Sequence, residues 1–173
     1  SLIPNNLSWQ WVHVGGGQEL RHLKKYSQDL GLQKKIVWRG ACNQGEVFKE
    51  YRSADIFILP SIIAEDGDRD GLPNVVMEAA SQELCCIASD VAALSEFIIH
   101  QKTGWLVPPN NPSALAQAII DLSSDHKLRK DLGINNYKRL KADFCHRSGI
   151  DIILKNLQIQ QGTVIDNTTE HVT

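Results

Sequence analysis

The sequence predicts an α/β fold in which a parallel sheet is covered by helices on both faces. Short apolar segments alternate with amphipathic segments along most of the 173 residues. Residues 56–59 and 85–88 are continuously apolar, as strands that are buried on both sides usually are. With 42% hydrophobic residues, the chain is long enough to enclose one sizeable core.

Each predicted strand ends at a turn signal and leads into a helical pattern. The predicted strands are residues 9–14, 36–38, 56–59, 85–88 and 104–107. The first predicted helix carries Leu20, Leu23, Ser27 and Leu30 on one face and ends at Gly31; the next are residues 44–53, 73–82 and 93–99. The sequence after Pro112 predicts helix, with breaks near Asp125, Gly133 and Asp143. We expect residues 1–160 to form one domain and the polar residues 161–173 to be a disordered tail.

Composition narrows the classes of function. A net charge of −2 gives no support for binding to nucleic acid or to an anionic membrane. There is no apolar run of about 18 residues that would span a bilayer. The cysteines Cys42, Cys85, Cys86 and Cys145 form no C-x-x-C pair, and we expect reduced thiols in a cytoplasmic protein.

Two glycine-containing loops follow predicted strands. Gly15–Gly17 fits a tight turn and a close approach to phosphate equally well, but it lacks the spacing typical of a nicotinamide-binding loop. Asp66-Gly67-Asp68-Arg69-Asp70-Gly71 begins like a calcium loop, yet its twelfth position is Met77 and Glu78 comes one residue too late. Asp66 and Asp68 alone are a weak metal pair, and we expect neither a calcium ion nor a nicotinamide cofactor.

The start of the helix after this loop favours an anion site. Proline is favoured at the first helical position, which we assign to Pro73. The amides of Asn74, Val75 and Val76 would then be free to face an anion. The alternative is an ordinary helix start with Asp70 as its cap. Glu78 is either a salt-bridged helix acid or a ligand group, because a carboxylate can accept two hydrogen bonds from a vicinal diol such as a ribose.

Several motifs together resemble a known family. One is Val37-Trp38-Arg39-Gly40, followed by Glu46, Tyr51 and the segment from Ala54-Asp55 to Pro60-Ser61. Another is the pair of acids Asp70 and Glu78 with seven residues between them. The third is Ala88-Ser89-Asp90-Val91, then Glu96, then Gly104-Trp105-Leu106-Val107. Over residues 9–135 the pattern resembles the retaining group 1 glycosyltransferases of the GT-B fold, family four.

The resemblance implies a role for each matching position. The catalytic pair would be Asp70, which would contact the hydroxyls of the donor sugar, and Glu78, which would hold the ribose. The diphosphate would be surrounded by the backbone amides of Gly71, Leu72, Asn74 and Val75. Pro73, in the same segment, would contribute only its shape. Gly40, Ala41 and Cys42 would lie near the base, and Pro60 and Ser61 would form the floor between them.

The same resemblance implies a Rossmann-like, nucleotide-sugar-binding carboxy-terminal half of a longer, cytoplasmic enzyme. Its partners would be a nucleotide-sugar donor, a glycan or lipid-linked acceptor bound through an amino-terminal domain, and possible peripheral contacts of the whole enzyme with a membrane. No metal or cofactor is implied, and the fragment alone is expected to be inactive.

Three departures from the family pattern keep alternatives open. The first acid is Asp70 rather than Glu, and Ala92-Ala93 replace a pair of glycines. The family also carries a G-R-x-x-x-x-K-G segment before the first strand, and its Arg and Lys are not in this sequence. A catalytically inactive nucleotide-binding module is one alternative. A GT-B-like sugar-nucleotide epimerase is the other; it would need a histidine in the cleft, whereas we expect His100 to be a surface residue.

Overall fold

The computed structural model describes residues 2–62, 72–91 and 93–144. Within them, strands and helices alternate as the sequence predicts. In chain order they are β1 (Trp11–Val14), α1 (Leu20–Asp29), β2 (Ile36–Gly40), α2 (Gln44–Ser53), β3 (Ile56–Leu59), α3 (Asn74–Ser81), β4 (Cys85–Ser89), α4 (Leu94–Phe97), β5 (Trp105–Val107), α5 (Pro112–Ser124) and α6 (His126–Asp143). The predicted tail, residues 161–173, lies outside the described part, so the domain limits stay a prediction.

All the strand pairs among the described residues are parallel, but these strands form two hydrogen-bonded groups instead of one continuous sheet. β1 pairs with β2, and β4 lies between β3 and β5. In the register of the larger group, Ile58 is opposite Ile87 and Ile87 is opposite Trp105. The strands of this group therefore end at the same edge of the sheet.

Helices cover both faces of the larger group. Successive side chains of β4 point to opposite faces, and all of β4 is buried. Cys86 and Ala88 belong to a core that also includes residues of α2, α3 and α4. Cys85 and Ile87 belong to a second core with residues of α5 and α6. This confirms the predicted α/β class, and the continuous apolar run of β4 follows from burial on both sides.

Local capping explains where several helices begin. α2 has the predicted bounds, and the side chains of Asn43 and Glu46 each accept a hydrogen bond from the other residue's backbone N–H. The break at Asp125 is confirmed, because its carboxylate accepts the Leu128 N–H at 2.8 Å and so starts α6. α3 begins one residue later than predicted. Pro73 has an extended ψ of 131° and is the residue before the helix instead of its first residue.

The predicted break at Gly133 is wrong, since α6 continues through it. A Cβ at this position would overlap the carbonyl oxygen of Glu83. Glu83 has a left-handed φ of 57° and ends α3, where the Leu84 N–H bonds to Ala79 O at 3.3 Å. Gly133 is therefore glycine because a neighbouring chain passes close to the helix, and it does not end the helix.

The predicted inner face of α1 is only partly covered. Ser27 is buried, but Leu23 and Leu30 of the same predicted face are 45% and 47% exposed, and Tyr26 beside them is 64% exposed. Within the described residues, no neighbouring element covers these side chains.

Three of the four cysteines are described, and all three are free thiols, as predicted. Burial raises the pKa of Cys85 to about 12 and raises that of Cys86 as well, so both thiols stay protonated and unreactive near neutral pH. Cys145 lies outside the described residues. No described helix is long and apolar enough to cross a membrane.

Candidate functional site

The carboxyl ends of β1 and β2 are tied together by backbone. The Gly15 N–H donates to Gly40 O at 2.7 Å. Both glycines have positive φ, 124° and 70°, a backbone conformation that glycine adopts readily. Ala41, which is exposed, and Cys42, which is half-buried, follow this turn before α2 begins. The three residues predicted to lie near a base, Gly40, Ala41 and Cys42, therefore sit on one loop at the strand tips.

The end of β3 lies at the carboxyl edge of the larger group of strands. The Ser61 N–H donates to Leu59 O at 3.0 Å, which turns the chain sharply after the strand. Pro60 is exposed and Ser61 is half-buried. Because the carboxyl ends of parallel strands meet at one edge, these residues are placed where ligands of such sheets bind.

Two of the three amides predicted to face an anion at the start of α3 have no hydrogen-bond acceptor within the helix. The Val76 N–H donates to Pro73 O at 3.2 Å, so it is used within the first turn. Asn74 and Val75, both exposed, occupy the first two helical positions, whose N–H groups have no acceptor within the helix. Pro73 holds the capping position and provides no side-chain cap, and Asp70, the alternative cap residue, lies outside the described residues.

Glu78 is held by a buried tyrosine from another helix. The Tyr51 hydroxyl lies 3.4 Å from Glu78 Oε2 and 3.4 Å from Val75 O, and its single proton can be donated to either oxygen. Tyr51 is 8% exposed, and its ring makes edge-to-face contacts with Phe48 at 6.0 Å and Phe57 at 5.6 Å. These contacts fix the ring, so the hydroxyl is a rigid partner for the carboxylate.

The electrostatics of this pair follow from burial. Desolvation, followed by the Glu78 carboxylate and its hydrogen bond, raises the pKa of Tyr51 to about 12. The hydroxyl therefore keeps its proton and remains a donor across the physiological range. In the described part of the chain, Glu78 is partnered by this hydroxyl and not by a cation, which argues against the salt-bridge interpretation of Glu78.

Tyr51 belongs to one of the sequence motifs, but the sequence alone predicted no role for it. A tyrosine on the inward face of α2, one turn after Val47 and Phe48, predicts a buried ring that needs a polar partner. Nothing local to α2 identifies that partner, because Glu78 lies 27 residues further along the chain.

Several predicted residues lie outside the described ranges: the acids Asp66, Asp68 and Asp70, together with Gly71 and Ala92. Their roles remain predictions. Among the described residues there is no group of three side chains that could hold a metal ion. His100 is exposed, as predicted, and its Nδ1 accepts the Leu106 N–H at 3.1 Å. Leu72 and Pro73 are half-buried beside the start of α3.

A separate, open depression lies at the start of α1. It is lined by Gly17, Gln18, Leu20, Arg21, His22 and Lys24. Its basic side chains could attract an anion, so it is a competing location in any binding experiment.

Comparison with known proteins assigns the family. Residues 2–139 match the family described as Glycosyl transferases group 1. The chain belongs to this family. It is similar to the amylovoran biosynthesis glycosyltransferase AmsK of Erwinia amylovora, with 34% identity over 115 residues, which are 66% of this chain and 28% of AmsK. The chain thus spans about a third of the length of the curated relatives that it matches.

Two solved structures place the fold. One is sucrose-phosphate synthase from Thermosynechococcus elongatus, with 29% identity and a TM-score of 0.74 over 88% of this chain and 38% of that protein. The other is Anabaena Alr3699/HepE in complex with UDP, with 18% identity and a TM-score of 0.77 over 90% of this chain and 42% of that protein. These likenesses confirm the Rossmann-like half of a GT-B fold. Curated relatives such as AmsK relate this group 1 glycosyltransferase domain to glycosyltransferases of polysaccharide biosynthesis.

Proposed function

We propose that this glycosyltransferase domain binds a nucleotide-sugar donor at its strand tips and serves a retaining transfer of the sugar to a glycan or lipid-linked acceptor. The observation that carries the proposal is the Tyr51–Glu78 pair beside the start of α3, where Pro73 provides no side-chain cap. The UDP complex of the HepE structure supports a nucleotide at this type of domain.

The start of α3 fits a diphosphate. The N–H groups of Asn74 and Val75 have no acceptor within the helix, and the helix dipole adds partial positive charge there. Glu78 lies one turn further along the same face, a rise of about 6 Å from Asn74. A single nucleotide can therefore place its diphosphate on the amides and its ribose hydroxyls on the carboxylate.

Tyr51 makes Glu78 suitable for a diol. A free carboxylate rotates and is strongly hydrated, whereas one held at one oxygen by a rigid hydroxyl presents its other oxygen in a fixed direction. Two ribose hydroxyls that donate to Glu78 would replace water at that position. In this arrangement Tyr51 orients the carboxylate and makes no contact with the donor itself.

The remaining predicted residues complete the donor site. Ala41 and Cys42 would contact the base next to Gly40, and Pro60 and Ser61 would form the floor. Gly71 would extend the phosphate-binding backbone, and Asp70 would bind hydroxyls of the transferred sugar. When the bond between the sugar and the diphosphate breaks, negative charge grows on the departing diphosphate, and the amides and dipole of α3 stabilise it.

A panel of nucleoside diphosphates (UDP, GDP, ADP, CDP and dTDP) tests the proposal by calorimetric titration and thermal shift. We expect one of them to bind and to raise the melting temperature. Glu78→Ala should weaken that binding by about 10-fold or more, as the loss of a hydrogen-bonded charge does. Asp131→Ala, which removes an exposed carboxylate from α6, is the matched control and should bind as the wild type does.

Binding by none of the five nucleotides, or equal binding by the wild type and Glu78→Ala, would overturn the proposal. We also propose that residues 1–173 alone do not transfer sugar from a sugar nucleotide to a simple acceptor, because the rest of a longer enzyme binds the acceptor. We propose that this longer enzyme is cytoplasmic and contacts the membrane only peripherally. Measurable transfer by this chain alone would contradict that part.

A further inference from the structure

The loop between β2 and α2 is held by hydrogen bonds at both of its ends. At the β2 end, the Gly15 N–H donates to Gly40 O at 2.7 Å. At the α2 end, the Asn43 side chain accepts the Glu46 N–H at 3.0 Å, and the Glu46 carboxylate accepts the Asn43 N–H at 2.8 Å. Such a reciprocal cap fixes the residue before the helix as well as the start of the helix. Two residues therefore remain between two fixed points.

An ion pair joins the two elements on either side of this loop. Arg39 Nε on β2 lies 2.9 Å from Glu50 Oε1 on α2. A partly exposed pair of this kind adds little stability, but it holds the strand and the helix at one separation. It also engages both charged groups, as the cap engages Glu46. The charged side chains beside the loop are therefore bound to protein partners.

The backbone groups of Ala41 and Cys42 have no such partners. Among the described residues, no backbone group forms a hydrogen bond with the N–H or C=O groups of these two residues. Ala41 is exposed and Cys42 is half-buried, so the loop presents main-chain donors and acceptors at the tip of β2. A donor or acceptor that is already fixed loses less conformational entropy on binding than a mobile one. The two anchors therefore affect what this loop can bind.

Helix α2 connects this loop to the Glu78 carboxylate. The cap lies at the start of the helix, and Tyr51, whose hydroxyl lies 3.4 Å from Glu78 Oε2, is in its last turn. Asn43 and Tyr51 are separated by a rise of about 12 Å along the helix. The ring contacts of Tyr51 with Phe48 and Phe57 do not involve the cap. Loss of the cap should therefore release the loop and leave the Tyr51–Glu78 pair in place.

We propose that Asn43 and Glu46 are positioning residues for base recognition in the donor site. They hold the backbone of Ala41 and Cys42 in the geometry that binds the base, and they make no contact with the nucleotide themselves. This inference rests on the proposed donor site and adds to it the residues that fix the base loop. Loss of the cap should weaken nucleotide binding by about 3- to 10-fold, because a mobile loop must then be ordered on binding.

Calorimetric titration tests the binding role with whichever of UDP, GDP, ADP, CDP and dTDP binds best. Asn43→Ala should show the expected loss of affinity. Asn43→Ser keeps a hydroxyl cap in the S-x-x-E pattern and should bind within about 2-fold of the wild type. Asn111→Ala is the matched control, because it removes the equivalent cap, in which Asn111 Oδ1 accepts the Ala114 N–H at 2.9 Å at the start of α5.

The two alanine variants separate positioning from stability. Both should lower the melting temperature by about 2–4 °C, but only Asn43→Ala should weaken nucleotide binding. Equal affinities of the wild type and Asn43→Ala, or equal losses in Asn43→Ala and Asn111→Ala, would overturn the positioning role and leave the proposed donor site intact. Binding of none of the five nucleotides would overturn both.

Backbone relaxation measurements test the anchored loop without any nucleotide. The order parameters of the Ala41 and Cys42 amides should be about 0.8 or higher in the wild type and in Asn43→Ser, and below about 0.6 in Asn43→Ala. The Tyr51 amide, near the other end of α2, is the internal control and should stay ordered in all three proteins. Loop amides that are already mobile in the wild type, or that are unchanged in Asn43→Ala, would overturn the inference whether or not a nucleotide binds.

Discussion

Above pH 10 the folded protein should lose stability through Tyr51. A tyrosine in the unfolded chain ionises near pH 10, whereas burial and the adjacent Glu78 carboxylate raise the folded pKa of Tyr51 to about 12. The raised pKa means that the folded state favours the protonated hydroxyl. Its contribution is fully present below pH 10 and is lost as the pH rises towards 12.

The size of the effect follows from the two pKa values. A pKa difference of two units corresponds to a loss of folding stability of about 2.7 kcal/mol at most. At pH 11, between the two pKa values, only part of this loss has occurred, about 1–2 kcal/mol. Tyr51→Phe keeps the ring contacts with Phe48 and Phe57 but removes the ionisable group. At pH 8 the variant should be less stable by about 0.5–1 kcal/mol, because the hydroxyl bonds to Val75 O and Glu78 are lost.

Urea unfolding at pH 8 and pH 11, followed by tryptophan fluorescence, measures both effects. The wild type should lose about 1–2 kcal/mol more than Tyr51→Phe between these pH values, so the order of stability should reverse or become equal. Tyr26→Phe, at an exposed side chain, controls for the replacement of a tyrosine as such. If the wild type and Tyr51→Phe lose the same stability, the buried contact between Tyr51 and Glu78 is wrong.

Three further substitutions test the packing around the site by urea unfolding at pH 8. Gly133→Ala should destabilise the protein by about 3 kcal/mol, because its Cβ meets the Glu83 carbonyl; a loss below about 1 kcal/mol would refute that close approach. Glu83→Gly should stabilise it by about 1 kcal/mol, since the left-handed φ of 57° is costly for any residue with a Cβ; no gain would show that the strain is absent. Asn136→Leu should be neutral or stabilising, because in the described part of the chain the fully buried amide has only the Cys86 thiol, a weak acceptor, as a partner; a large loss would reveal a stronger partner.

Local signals predicted most of the fold. The bounds of α2 and β3 follow from features within a few residues, namely the Asn43–Glu46 cap and the apolar run that ends at Pro60. The start of α3 was misplaced by one residue, because proline's fixed φ suits both the capping position and the first helical position, and only the extended ψ of Pro73 distinguishes them.

Contacts between distant segments could not be predicted in the same way. Taken alone, Gly133 predicts the end of a helix. The reason for a glycine at this position lies in the packing, because the turn at Glu83 lies directly against α6. The periodicity of α1 correctly marks an apolar face, but it cannot show whether a neighbour covers Leu23 and Leu30. For the candidate site, the sequence predicted Glu78 and three amides of α3, whereas the hydroxyl that holds Glu78 comes from another helix and was not predicted.

Mapping a bound nucleoside diphosphate onto the backbone amides tests the central claim most directly. A titration of isotopically labelled protein, followed by amide chemical shifts, would use the nucleotide that binds best in the panel. We predict that the largest shifts fall on the strand tips and the start of α3, at Ala41, Ser61, Asn74, Val75 and Glu78. Shifts that cluster in the basic depression at the start of α1, around Gly17 and Lys24, or the absence of shifts at saturating nucleotide, would contradict a donor site formed by the tips of β2 and β3 and the start of α3.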